Sequence, residues 1–451
     1  LEEVLNLHHN DPFFVDTIFS HYMINGDECS ISPYNQVGLK NIGMTCYMNS
    51  IFQQFFHIKP LRYALMNYKG DNQLLSEISH LFYLMRYAKT KYIDPSFVVK
   101  KWEMRPNMYL NPKIQQDAAE IIHFLLHSFE DGEELKNEVK NLFNGEFSHP
   151  IDGIDIEYHT ETKEEFPIIQ LEVENCKDIM ESFTNLTKPE LFLNDSQYYA
   201  EDLEARINAK RSTFIQKAPP ILIVHLMRFY YNYSLNKRTK ITNPFAVFKT
   251  IDISDVCINK GEKMTYVLIG VIVHKGTAAS GHYVSFVYKK KKDIWLCFDD
   301  ENVTEIDEID VFNQASGKNP DSTGYILFYE KEELIQKEEK NDNFYLKIPE
   351  DLKDEIIKIN NETMKAKLMC SNGYFNLMQN LCLETSMSYF DICLKFTVDT
   401  LPFMKIETMN EKYFDVLKNK LKSSENEYKE EFLIYLLDPK SQYINKNLFY
   451  C

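Results

Sequence analysis

The sequence is short of the features that send a chain to a membrane, a secretory route or a nucleic acid. Its opening, Leu-Glu-Glu-Val-Leu-Asn-Leu-His-His, lacks the basic and apolar regions of a signal peptide. No apolar run approaches membrane-spanning length; residues 221–226 and 267–273 are strand-sized. Basic residues are outnumbered, 50 Lys and Arg against 67 Asp and Glu, for a net charge of −17. That balance argues against a nucleic-acid or anionic-membrane partner and suits a substrate with a basic face or tail. There is no Cys-x-x-Cys pair and no strict internal repeat. The nine cysteines are scattered, and without a signal peptide they read as reduced thiols, so the expected location is intracellular, cytoplasmic or nuclear.

What is present is a large, apolar, aromatic chain. With 451 residues, 44% hydrophobic and 14% aromatic, it can bury an extensive core and is expected to hold two or three domains. Because it begins with Leu, it reads as a piece of a longer protein.

The most informative stretch is Gly38-Leu39-Lys40-Asn41-Ile42-Gly43-Met44-Thr45-Cys46-Tyr47-Met48-Asn49-Ser50. A loop with two glycines leads into a run in which Met48, Ile51, Phe52, Phe55 and Phe56 recur at helical spacing, with Pro60 ending it. Cys46 is therefore expected in the first turn of a buried helix, where unpaired backbone N–H groups and the helix dipole favour thiolate over thiol. Asn41, five residues upstream, is within reach to aim its amide at a developing oxyanion. By default a cysteine at a helix start is a small buried hydrophobe; the whole string and the downstream blocks decide otherwise.

Further helices are predicted around Ile78, Leu81, Phe82 and Met85, after Asp94-Pro95-Ser96, and after Gln115-Gln116-Asp117-Ala118. From about residue 145 the period changes to two, as in Ile169, Leu171 and Val173. Residues 218–229 form a proline-led buried strand, in which His225 reads as a core histidine. Residues 266–276 are a strand running through His274 into a glycine turn, continued by Gly281-His282-Tyr283 and then Trp295-Leu296-Cys297-Phe298-Asp299-Asp300. A thiol needs a base, and the base needs an orienting group. His282 heads one strand and Asp299 ends another, so a hairpin would join them.

Taken together, these blocks resemble the ubiquitin-specific proteases, papain-like deubiquitinases, over residues 36–331. The cysteine box, the Gln-Gln-Asp-Ala box, the Leu226-Met227-Arg228-Phe229 strand and the histidine box fall in the family's order. The resemblance implies an α+β papain-like cysteine protease fold with thumb, palm and fingers, the fingers within about 145–217. It implies hydrolysis of the bond after ubiquitin's C-terminal glycine, with Cys46 as nucleophile, His282 as base, Asp299 as its orienting partner, and Asp300 as a second polar group near the oxyanion or water. It implies substrate contacts at Gln116, Asp117, His274, Gly281 and Tyr283; for Asp117 the plain alternative is a helix cap. Expected partners are ubiquitin and ubiquitinated proteins, with no cofactor.

Two departures matter. Most of the family has Asn before Thr-Cys, whereas this chain has Met44, which leaves Asn41 as the side-chain donor to the oxyanion. The family's two Cys-x-x-Cys pairs are missing: Ala200 and Leu203 stand at one, and residues 153–156 hold no cysteine at the other, so no metal site is expected. Residues 1–35 read as a lead-in. Residues 332–451 read as a linker, polar over 330–343, and a helical C-terminal extension with apolar faces at Leu352, Ile356 and Ile359, at Phe414, Leu417 and Leu421, and at Tyr428, Phe432 and Tyr435. Those faces are expected to take further partners, and the arrangement resembles the large fat-facets-like members. The rival readings are a ubiquitin-binding module with little turnover and a protease for another ubiquitin-like modifier.

Overall fold

The computed structural model describes residues 36–105, 108–234, 236–258, 263–278, 280–319, 321–334 and 348–369. Residues 34–353 form one compact unit; residues 1–33 and 354–451 belong to a second. The expected C-terminal apolar faces beyond residue 369 lie outside the described residues.

Strand β1 (Gly38–Leu39) leads into helix α1 (Cys46–His57), followed by α2 (Lys59–Met66) and α3 (Gln73–Tyr87). Strand β2 (Tyr92–Ile93) pairs parallel with β1, and α4 (Ser96–Lys101), α5 (Ala118–Ser128) and α6 (Glu133–Phe143) complete the helical part. Helix α1 is buried from Cys46 to Phe56, its polar Asn49, Ser50, Gln53 and Gln54 included. Pro60 not only follows α1 but sits in the first turn of α2, where its missing N–H costs nothing. Asn72 caps α3 by accepting from the N–H of Leu74 at 3.0 Å, and Asp117 caps α5 by accepting from Ala119 at 3.0 Å.

From residue 145 the chain is mostly strand. In order come β3 (Gly145–Gly153), β4 (His159–Phe166), β5 (Ile169–Glu172), helix α7 (Ile179–Leu186), β6 (Glu190–Phe192), β7 (Tyr198–Ala200), β8 (Ala205–Ile207), β9 (Ala209–Arg211) and β10 (Phe214–Lys217). Then follow β11 (Ile221–Met227), the hairpin β12 (Phe229–Asn232) and β13 (Lys237–Lys240), β14 (Thr250–Asp252), β15 (Thr265–Gly276), β16 (Gly281–Lys289), β17 (Ile294–Asp299) and β18 (Asn302–Ile306). Helix α8 (Glu308–Ala315) and β19 (Ser322–Lys331) close the unit, and α9 (Glu350–Met369) follows.

The large sheet runs β18-β17-β16-β15-β19-β11-β5, with β14 also on β15; the β11–β5 pair is parallel. β15 and β19 are buried almost throughout, as central strands covered on both faces should be. Helix α1 lies against this sheet, and Gln54 enters it. Its amide donates to Ser285 Oγ at 2.8 Å and to the Phe286 carbonyl at 2.9 Å. Gly270 makes room: a Cβ there would stand 1.8 Å from Gln54 Oε1. Strand β19 extends into the segment read as linker, because Glu330 is buried and paired with Lys290. No helix among the described residues is long and apolar enough to cross a membrane.

A second sheet runs β10-β3-β9-β6, with β4 on the open edge of β3. Beside it, Ala200 is fully buried with Ile151, Ile207 and Ala209, and Tyr158 and Tyr198 pack against them. Apolar packing thus fills position 200, one of the two at which the resemblance led one to look for a thiolate ligand. Strong chelators should leave the melting temperature unchanged. Ala200→Asp, which buries an unpaired carboxylate, should lower it by roughly 5 °C or more. A chelator-induced drop would show a metal dependence that this packing does not require.

Candidate active site

Cys46 is the first residue of α1 and is 3% exposed. Its loop is pressed onto Pro112: Met44 N–H donates to the Pro112 carbonyl at 2.6 Å, and Gly43 has φ +150 with only 2.5 Å between a would-be Cβ and that oxygen. A side chain at 43 would push the loop away. Met44 itself is exposed. The Cys46 sulfur accepts from the Tyr283 N–H at 3.4 Å, which seats it at the start of β16.

His282, one residue earlier on β16, bonds Asp299 Oδ1 through Nε2 at 2.6 Å. Strands β16 and β17 form the hairpin that joins them. With Nε2 engaged, Nδ1 is the ring nitrogen left to face the sulfur. The Asp299 bond, then the Cys46 bond, push the imidazole up to about 10 against the opposing effect of burial. Asp299 is held below the usual carboxylate range, chiefly by the same bond to His282. His282 therefore contributes stability that is fully present below the ordinary imidazole pKa and is lost as pH rises through about 10. Asp299 contributes stability present above the ordinary carboxylate range and lost as pH falls through its depressed value.

Asn41 is held from all sides. Its Oδ1 accepts from the N–H groups of Gly43 and Thr45 at 3.1 and 3.2 Å, and its Nδ2 donates to Asp300 Oδ2 at 2.8 Å. Its own N–H donates to Glu301 Oε1 at 3.1 Å. Asp300 sits in the turn after β17 with φ 50, and its other oxygen accepts from Asn49 Nδ2 at 2.8 Å. Burial raises the Asp300 carboxyl, and the bonds from Asn49 and Asn41 oppose that. Among the described residues, His282, Asp299 and Asp300 are the three groups close enough to share a cation. Their ligand atoms are already committed to one another and to the two asparagines.

Asp117 is both a cap and a buried anion. Besides Ala119, it accepts from Tyr325 OH at 2.5 Å and pairs with Arg238 of β13, whose guanidinium also lies 4.8 Å over the Phe229 ring. Burial works to raise this carboxyl, but the bonds from Tyr325, Arg238 and Ala119 leave it lowered. Gln116 is half-buried beside it, and it is Gln115 that touches the histidine loop, donating to the Gly281 carbonyl at 3.0 Å. His274 is a wall rather than a free imidazole: it is buried against Phe229 and Tyr283, and burial takes it down to about 3. Gly281 is required there, since a Cβ would lie 2.2 Å from His274 Nε2. Tyr283 is buried, with its hydroxyl shifted strongly upward by burial. His225, read as a core histidine, is half-buried edge-on to Tyr325.

Sequence reasoning missed Asn49, Gln115, Arg238 and Glu301. Two of them carried a signal: Gln115 stands in the Gln-Gln-Asp-Ala box, and Asn49 is a polar residue one turn past Cys46 on a buried helix. Asp299→Asn should lower the His282 titration midpoint, followed by NMR of the ring Cε1–H, by more than one unit toward the ordinary value near ~6.5. A midpoint unmoved from about 10 would mean that Asp299 is not what holds the proton.

The ubiquitin carboxyl-terminal hydrolase family matches residues 37–329. Human "Ubiquitin carboxyl-terminal hydrolase 34" is 28% identical over 400 residues, 77% of this chain but 11% of that protein. Arabidopsis thaliana "Ubiquitin C-terminal hydrolase 13" is 31% identical over 291 residues, 60% of this chain and 25% of its own length. Saccharomyces cerevisiae "Ubiquitin carboxyl-terminal hydrolase 15" is 27% identical over 319 residues, 66% of this chain and 25% of its own length. The chain thus spans a quarter or less of these relatives. Given a match over most of its length, the chain belongs to the ubiquitin carboxyl-terminal hydrolase family.

Proposed function

We propose that the chain is the catalytic part of a deubiquitinase that hydrolyses the isopeptide or peptide bond after ubiquitin's C-terminal glycine. The helices up to residue 143 serve as thumb, the large sheet as palm and the second sheet as fingers. The fat-facets-like subgroup suits the helical pattern that follows the protease. Cys46 attacks the carbonyl carbon as thiolate, its proton resting on His282. His282 returns that proton to the leaving amine when the tetrahedral intermediate collapses, and a water then attacks the thioester with His282 as base. Asp299 fixes the imidazole tautomer. Asn41 and the Cys46 backbone N–H hold the oxyanion.

An amide nitrogen has two hydrogens, so Asn41 keeps one for substrate while the other binds Asp300. Gln116, Asp117, His274, Gly281 and Tyr283 line the path of the ubiquitin tail. Within that path, His274 and Tyr283 act as packed walls and Asp117 through a carboxylate shared with Arg238. No step calls for a cofactor.

The observation that carries the reading is the pairing of His282 with Asp299 at 2.6 Å, next to Tyr283, whose N–H donates to the Cys46 sulfur at 3.4 Å, at the first turn of a buried helix. Cys46→Ala should lower cleavage of a fluorogenic ubiquitin substrate at least ~1,000-fold while leaving ubiquitin binding measurable. Cleavage near the wild-type rate would overturn the mechanism. A wild-type chain that binds ubiquitin without turning it over would be a binding module. Preferential cleavage within a panel of ubiquitin-like substrates would reassign the modifier.

A further inference from the structure

We propose that Asn49 is a positioning residue for the oxyanion donor, acting on Asn41 through Asp300. The inference rests on the reading of Asn41 given above and adds a residue that this reading does not contain. Asn49 lies one helical turn after Cys46 and is 2% exposed. Its Nδ2 donates to Asp300 Oδ1 at 2.8 Å and to the carbonyls of Leu39 and Lys40 at 3.2 and 3.3 Å. Asp300 Oδ2 in turn accepts from Asn41 Nδ2 at 2.8 Å. One carboxylate is therefore gripped at both oxygens by two asparagines, one from the nucleophile's helix and one from its loop.

A carboxylate held at a single oxygen keeps rotational freedom about Cβ–Cγ, and any donor it orients inherits that freedom. With Asn49 on Oδ1, the Asp300 plane is fixed and with it the direction of the Asn41 amide. The other end of that amide is fixed by Gly43 and Thr45. Preorganisation of this kind is what gives an oxyanion donor its effect, since no reorientation is left for the transition state.

Asn49 is also a costly residue for packing alone. Its Oδ1 is buried without a hydrogen-bond partner, a cost offset only by what its Nδ2 binds, Asp300 and the carbonyls of Leu39 and Lys40. The bonds from Asn49 and Asn41, with the charge of His282, oppose the upward pull of burial and of Asp299 on the Asp300 carboxyl. Losing Asn49 thus also weakens the ionised form of the group that holds Asn41.

The test is a kinetic cycle on fluorogenic ubiquitin with wild type, Asn41→Ala, Asn49→Ala and the double variant. Asn41→Ala should lower kcat ~100-fold or more. Asn49→Ala should lower kcat about tenfold with KM within about twofold. In the Asn41→Ala background, Asn49→Ala should change kcat by less than about twofold, because the group it orients is gone. A multiplicative loss in the double variant, a change confined to KM, or an unchanged kcat in Asn49→Ala overturns the proposal. If Asn41→Ala keeps wild-type kcat, the oxyanion reading itself fails, a separate outcome. Should Asn49→Ala not fold, Asn49→Ser, with a shorter donor, enters the same cycle under the same criteria.

Discussion

The site depends on one close approach of backbones. The turn after β17 is pressed onto β1, so that Leu39 N–H donates to the Asp300 carbonyl at 2.9 Å. A Cβ on Gly38 would stand 2.5 Å from the Glu301 carbonyl oxygen, so only glycine allows the turn to dock. That contact joins the loop before the proposed nucleophile to the hairpin carrying its proposed partners, across 259 residues of sequence between Asn41 and Asp300. Once the turn is docked, Glu301 receives the Asn41 N–H and Asp300 receives two side-chain amides. The turn residue pays in backbone conformation, since Asp300 has φ 50, a region most side chains avoid.

The same logic runs along the rest of α1. An apolar helix would bury just as well, yet Asn49, Gln53 and Gln54 are all buried and each reaches a different neighbour. Gln53 donates to the Val37 carbonyl at 2.9 Å, and Gln54 bonds β16 through the opening that Gly270 leaves. Apolar contacts hold the helix against the sheet, but they tolerate sliding. Three amides with fixed partners do not, and an error of about 1 Å at a reacting atom is enough to cost rate.

Much of the fold was legible where burial imposes a period. Ile169 and Leu171 are buried and Gln170 and Glu172 exposed, as alternation demands, and Ile78, Leu81, Phe82 and Met85 share the buried face of α3. Strand β4, by contrast, reads His-Thr-Glu-Thr-Lys-Glu-Glu-Phe and buries no residue before Phe166. Its backbone pairing with β3, not any buried face, makes it a strand, and no side-chain pattern records that. The polar run read as a linker began too early for a similar reason, since Glu330 is buried with Lys290 as its counter-charge.

In the site, helical spacing pointed to Cys46 in a first turn, and a hairpin, a local event that spacing can foresee, pointed to His282 beside Asp299; the meeting of the two is not local. Arg238 against Asp117 and Asn49 against Asp300 join distant segments, and only tertiary structure brings them together. The proposed function requires that this architecture make one cysteine of the nine a nucleophile toward the ubiquitin C-terminus. Incubation with ubiquitin carrying a C-terminal electrophile, followed by peptide mapping by mass spectrometry, tests it most directly. One ubiquitin per chain is expected, attached at Cys46 and nowhere else. Attachment at another cysteine, or none at all, would contradict it.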